Sequence, residues 1–180
     1  MTASVEPVRD IIVRFTQQFK GIRFSLPKIK KLVKAVCRRF SGDDRKASRE
    51  KAARFEISIA IVDDGRFREL NSRFLRRNST SDCLSFDLSE DVPQSPKFFE
   101  IVVNGDSVVR QANLRGHSQE AELALYVTHG LLHQFGFDDS TPGLARKMHK
   151  IEDEILHQLG YGIVYNKSTG TQAPRKSKKK

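Results

Sequence analysis

The chain is predicted to adopt an α+β fold, a small mixed sheet of about four strands covered by helices. Three observations predict it. Phe55, Ile57, Ile59 and Ile61 alternate with other residues in Arg54 to Val62, the period-two pattern of a strand with one buried face. Ile29, Leu32, Val33, Val36 and Phe40 recur at helical spacing. The second half is helical, and its central helix is apolar nearly all round: Leu123, Leu125, Tyr126, Val127, Leu131, Leu132 and Phe135 leave it almost no polar face.

The elements follow in order. Val8 to Phe15 is rich in β-branched residues and reads as the first strand. Ser25 precedes Pro27, a cap residue before a proline in the first turn, and the helix they open runs to about Phe40. Its outer face carries Lys28, Lys30, Lys31, Lys34, Arg38 and Arg39, which reads either as a grip for phosphates or as a solvated face. Ser41 to Lys51 is a charged connector, and Arg54 to Val62 is the second strand. Asp63 or Asp64 caps the next helix, through Phe67, Leu70, Asn71 and Phe74 to Leu75. A polar basic loop, Arg76 to Thr80, leads to a short strand at Asp82 to Asp87. Pro93 and Pro96 mark a turn before a further strand, Phe98 to Val103.

Gly105 to Asn113 forms a short helix ending at Gly116. Ser118 caps the central helix, with Glu120 and Glu122 in its first turn, where anions are favoured. Gly136 stops that helix. Pro142 opens the last one, whose core stripe is Leu144, Met148, Ile151, Ile155 and Leu159, and Gly160 ends it. Residues 1–165 form a single domain on this reading. Residues 166–180 form a basic tail without aromatics, of disordered composition.

Composition narrows the partners. The 180 residues are 38% hydrophobic and 30% charged, ordinary for a soluble globular protein. No apolar run has the length of a membrane span, and the first residues lack the pattern of a signal peptide. The two cysteines, Cys37 and Cys83, have no metal-type spacing and read as buried free thiols in a reducing cytoplasm. Net charge is +10; six cations and no acids lie beyond Tyr165, which leaves +4 on the body. A basic body with a basic tail suits a polyanion, most simply nucleic acid, and otherwise serves solubility.

The chemistry concentrates in His129 to Asp139. His129 and His133 stand at i and i+4 on the central helix, so both imidazoles project from one face. A lone histidine on so apolar a helix is more often a satisfied core residue. Two at this spacing, followed by Gly136 and the carboxylates of Asp138 and Asp139, also suit a three-ligand site with an open fourth position, the usual arrangement for catalytic zinc. A metalloprotease of the His-Glu-x-x-His type is disfavoured, because glycine stands at position 130 where its base would be. Glycine there implies close packing or substrate approach. His149 with Asp153 repeats the i,i+4 spacing, but the surrounding charges read as a solvated helix face. Glu152, nearer the apolar stripe, is placed to orient a metal-binding histidine.

His129, Gly130, Leu132, His133, Gly136 and Asp138 match the signature His-Gly-x-Leu-His-x-x-Gly-Tyr-Asp-His, with Phe137 in place of tyrosine. On these residues the stretch resembles the YbeY endoribonucleases, the rRNA maturation factors. Leu70-Asn71, Ser81 to Phe86, Phe99 to Val103, and Met148 with Glu152 resemble further family segments, so the similarity runs from about Phe55 to Tyr161. Two departures stand out. Asp139 occupies the position of the third histidine, a ligand exchange, since aspartate also binds zinc. Leu75 stands where the family carries an arginine near the reacting phosphate, with Arg76 and Arg77 just beyond.

The resemblance implies a zinc-dependent single-strand endoribonuclease that matures the 3′ end of small-subunit ribosomal RNA and serves ribosome quality control in the cytoplasm. One zinc ion would be held by His129, His133 and Asp139. Arg76 would be the catalytic cation, with Arg76, Arg77, Lys30 and Lys34 on the RNA. The expected partners are ribosomal RNA and the ribosome or its proteins, with neither membrane nor DNA. The alternative is a non-catalytic, metal-stabilised ribosome-assembly factor.

Overall fold

The structure, a computed structural model, describes residues 10–41, 54–75, 82–92 and 95–165. The basic loop with Arg76 and Arg77, most of the charged connector and the tail from Asn166 lie outside these residues.

Four strands form one mixed sheet in the order β1-β2-β4-β3. β1 (Asp10–Gln17) pairs parallel with β2 (Arg54–Val62), and β2 pairs parallel with β4 (Lys97–Asn104). β3 (Cys83–Asp87) runs antiparallel to β4 at the far edge. The central pair carries the apolar alternation. Phe55, Ile57, Ile59 and Ile61 of β2 and Phe99, Ile101 and Val103 of β4 are buried on one face. The other face is smaller, where Val62, Leu84 and Val102 pack with Phe67 of α2 (Asp64–Leu75).

The larger face is covered by α1 (Leu26–Phe40) and α4 (Gln119–Gln134), with α5 (Pro142–Gln158) against α4. α3 (Gly105–Arg115) also packs on α4. α4 therefore touches α1, α3, α5, β3 and β4. That surround is why its sequence is apolar on every side. Gly130 has a packing reason: a Cβ there would lie 3.0 Å from Cys83 Sγ and 3.1 Å from Ile101. Close approach of helix to sheet, not of substrate, accounts for this glycine.

Local signals and structure agree at most boundaries. Ser118 Oγ accepts the Ala121 N–H at 3.1 Å, and Asp63 Oδ1 accepts the Arg66 N–H at 2.8 Å. Ser25 differs: its side chain makes no capping bond, and its own N–H instead donates to Glu120 Oε2 at 2.8 Å. Glu120 also takes Lys28 Nζ at 2.7 Å, so a long-range ion pair ties the start of α1 to the start of α4. In the last helix, Met148 and Ile155 are buried as expected, but Leu144 is exposed. Leu144 sits in the first turn of α5, before the helix reaches the core. The face bearing His149 and Asp153 is not solvated. Asp153 is buried and accepts the backbone N–H groups of Val164 and Tyr165 at 3.0 and 2.9 Å, so the chain after α5 folds back over it.

Candidate metal centre

The end of α4 builds the site. Gly136 adopts φ 84°, and the Gly136 and Phe137 N–H groups bond back to the carbonyls of His133 at 3.0 Å and Leu132 at 3.1 Å. This is a Schellman closure, which requires a residue at positive φ, hence glycine. The turn also aims the Phe137 carbonyl back at the helix, where it lies 3.0 Å from His133 Nδ1. One local motif thus both ends α4 and orients its last histidine. Phe137 and Phe135 anchor the turn against Phe40 of α1, with ring centroids 5.0 and 6.0 Å away.

His129 is oriented from another element. Its Nδ1 lies 2.8 Å from Glu152 Oε1 on α5. With both Nδ1 atoms facing oxygen acceptors, each neutral imidazole keeps its proton on Nδ1 and leaves a lone pair on Nε2. These Nε2 atoms face each other at 3.0 Å. Asp139 completes the group, with Oδ2 at 3.6 Å from His129 Nε2 and Oδ1 at 3.7 Å from His133 Nε2. Two ligands about 2.1 Å from one tetrahedral zinc sit roughly 3.4 Å apart, so these three edges bracket the spacing the ion needs. Opposed lone pairs repel unless a cation or proton lies between them. The donor set fits a divalent cation, and among the described residues no other group of histidine, cysteine or carboxylate side chains forms such a cluster.

Charge supports the arrangement. Burial alone would lower the His129 pKa, but the hydrogen bond and charge of Glu152 and the charge of Asp139 outweigh it, and the net shift is upward. The Glu152 carboxylate is buried and shared: its other oxygen lies 2.7 Å from His149 Nδ1. His149 in turn stacks on Tyr165, centroids 3.5 Å apart. Asp138 faces the loop, accepting the Ser140 N–H at 2.9 Å. Its pKa is held below the ordinary carboxylate value by the Ser140 hydroxyl and backbone hydrogen bonds. Asp139 is therefore the carboxylate brought to the histidines, and Asp138 is the loop brace.

A cavity of about 490 Å³ opens beside this group, walled in part by His129, Asp139, His149, Glu152, Tyr126 and Tyr165. Lys30 and Lys34 lie on α1, half-buried and exposed, and neither lines it. Arg76 and Arg77 fall outside the described residues. Sequence reasoning set His149 aside as part of a solvated face and missed Tyr165, because neither residue carries a local signal of the fold-back over α5.

The family model for the endoribonuclease YbeY matches residues 14–160. The chain belongs to the YbeY family. Relatives named "Endoribonuclease YbeY" include one from Thermodesulfovibrio yellowstonii, 34% identical over 139 residues, 74% of this chain and 86% of that protein. In the relative from Myxococcus xanthus the match is 35% over 108 residues, covering 58% of this chain and 37% of its own length. In that from Anaeromyxobacter sp. it is 38% over 105 residues, 58% of this chain and 55% of the relative. The matched region thus spans little more than half, or less, of these last two YbeY proteins. The solution structure of TM1509 from Thermotoga maritima is similar in fold, with TM-score 0.50 and 25% identity over 82% of this chain and 91% of that one. The YbeY signature region is the stretch in which the three donors converge. Among the described residues no helix is long and apolar enough to cross a membrane.

Proposed function

We propose that the chain is a metal-dependent endoribonuclease that hydrolyses phosphodiester bonds in single-stranded RNA, with zinc as its ion. The observation that carries this is the pair of Nε2 lone pairs, faced by Asp139 beside an open cavity, in a YbeY family chain. A divalent ion held there supplies Lewis-acid chemistry to a phosphoryl group. The chain's own residues do the rest. Glu152 and the Phe137 carbonyl hold the imidazole tautomers, and Asp139 adds negative charge that favours cation binding. Arg76, which follows α2 in the sequence, is the proposed cation for transition-state charge, with Arg77, Lys30 and Lys34 contacting the RNA backbone. The family supports a role in maturing the 3′ end of small-subunit ribosomal RNA and in ribosome quality control, with the ribosome or its proteins as partners, in the cytoplasm.

The test is elemental analysis of the purified protein, with cleavage of single-stranded RNA measured with and without chelator. The expected outcome is one zinc per chain and chelator-sensitive cleavage, both lost in the His129→Ala, His133→Ala double variant. Full zinc occupancy in that variant sinks the site. Stoichiometric zinc without any cleavage favours the non-catalytic assembly factor.

A further inference from the structure

Arg115 is the sole lysine or arginine among the described residues that wall the cavity. It is the last residue of α3, and Gly116 follows at φ 66°. The chain reverses there, with the His117 N–H bonded back to the Ala112 carbonyl at 3.1 Å. The reversal lays the Arg115 side chain along α4 instead of sending it into solvent. Its Nη1 donates to Glu122 Oε1 at 3.3 Å, and its Cζ lies 5.5 Å from the centre of the Tyr165 ring. The Glu122 side chain is fully buried and is also faced by His117 Nε2 at 2.9 Å.

That anchor engages one of the five N–H donors of a guanidinium. The Arg115 side chain remains about one-third exposed, at 32%. The acids of the wall are already engaged. Asp82 takes the hydroxyls of Ser107 and Tyr126, Glu152 sits between His129 and His149, and Asp139 faces the metal group. Among the described residues Arg115 is the one lysine or arginine of that wall, and a planar fork suits a phosphate. Its distance from the metal group is set by α4. Glu122 and His129 are seven residues apart, nearly two turns on one face, or about 10 Å along the axis. A cation tethered at Glu122 is thus set back from the bond at the metal.

We propose that Arg115 is a substrate-positioning residue, gripping a backbone phosphate of single-stranded RNA that neighbours the phosphate at the His129, His133 and Asp139 group. The proposal rests on the nuclease reading of that group and adds a second phosphate subsite to it. Arg115 orients the strand through this contact and takes no part in breaking the bond.

The experiment compares wild type with Arg115→Ala and Arg115→Lys. Binding of a cleavage-resistant single-stranded 2′-O-methyl RNA is read by fluorescence anisotropy across a salt series. Cleavage is read on an RNA oligonucleotide and on a dinucleoside monophosphate, which has no neighbouring phosphate. Arg115→Ala is expected to bind about tenfold more weakly, with a salt slope shallower by about one. The loss should appear in KM on the oligonucleotide, and the drop in kcat/KM should be larger there than on the dinucleoside monophosphate. Zinc content should stay stoichiometric. Arg115→Lys keeps a charge on Glu122 but loses the fork, so it should fall between the two, and it carries the test if Arg115→Ala does not fold. Unchanged oligonucleotide affinity, or an equal loss on both substrates, overturns the proposal. Oligonucleotide binding that depends on Arg115 in a protein that cleaves nothing would refute the nuclease reading and leave the phosphate subsite standing.

Discussion

Glu152 Oε1 lies 2.8 Å from His129 Nδ1, joining a buried carboxylate on α5 to a candidate metal ligand on α4. A carboxylate in this position fixes the tautomer and raises the basicity of the ligand nitrogen. Glu152→Ala should therefore weaken zinc binding about 10–100-fold while both histidines remain. A competition titration against a chromophoric chelator checks this, and an unchanged affinity would show that Glu152 serves only packing.

Asp139 and Asp138 are adjacent, yet the fold gives them separate roles. Asp139→Ala should cost far more zinc affinity than Asp138→Ala, whose carboxylate is engaged by Ser140. Asp139→His should retain the ion, because imidazole is an equally competent donor. The same titration ranks the three variants, and the reverse order of the two alanine variants would assign the ligand to Asp138.

Gly130 tests how tightly α4 sits on the sheet. Alanine brings about 1 kcal/mol of helix propensity, but its Cβ meets Cys83 Sγ and Ile101 at 3.0 and 3.1 Å. Overpacking of this kind costs about 1–3 kcal/mol. Gly130→Ala should therefore be destabilised by about 1 kcal/mol in urea unfolding. A more stable variant would mean that the Ile101 side chain yields freely.

The two thiols predict an alkaline limit. Burial pushes Cys37 up to about 12, and burial followed by the charges of Asp82 and Glu152 pushes Cys83 up to about 12. Tyr126 and Tyr161 shift upward as well, burial being the main cause in each. In the unfolded chain a thiol loses its proton near pH 8.5, so above that the native state holds more protons than the unfolded one. Stability should then fall as pH rises from about 9 toward 12. Urea midpoints across this range check the sign, and a rising midpoint contradicts it. At pH 8 the fully buried Cys37 should not react with iodoacetamide in the folded protein, whereas it should react in urea.

Several features were legible because they are local. The alternation in Arg54 to Val62 predicted β2 to the residue, and the stripe from Ile29 to Phe40 predicted the buried face of α1. The i,i+4 histidines, the Ser118 cap and the Gly136 stop each depend on residues within one turn of one another. Periodicity is set by backbone geometry, so it survives in the sequence whatever the rest of the chain does.

Tertiary structure decided what covers each face. Periodicity states that a face is apolar or charged, and nothing about its neighbour. The charged look of His149 and Asp153 therefore read as solvated, although Asp153 holds the backbone of Val164 and Tyr165 and His149 stacks beneath that return. Glu122 read as a first-turn helper of the helix dipole, and packing of α3 on α4 made it the buried anchor of Arg115. Glu152 was read from the sequence as a residue that orients a metal-binding histidine; that the histidine is His129, and that the sheet carries β3 antiparallel at its edge, are of the same tertiary kind. Such contacts form where chain closure and packing of the whole core balance. That sum runs over the entire molecule, and no window of sequence contains it.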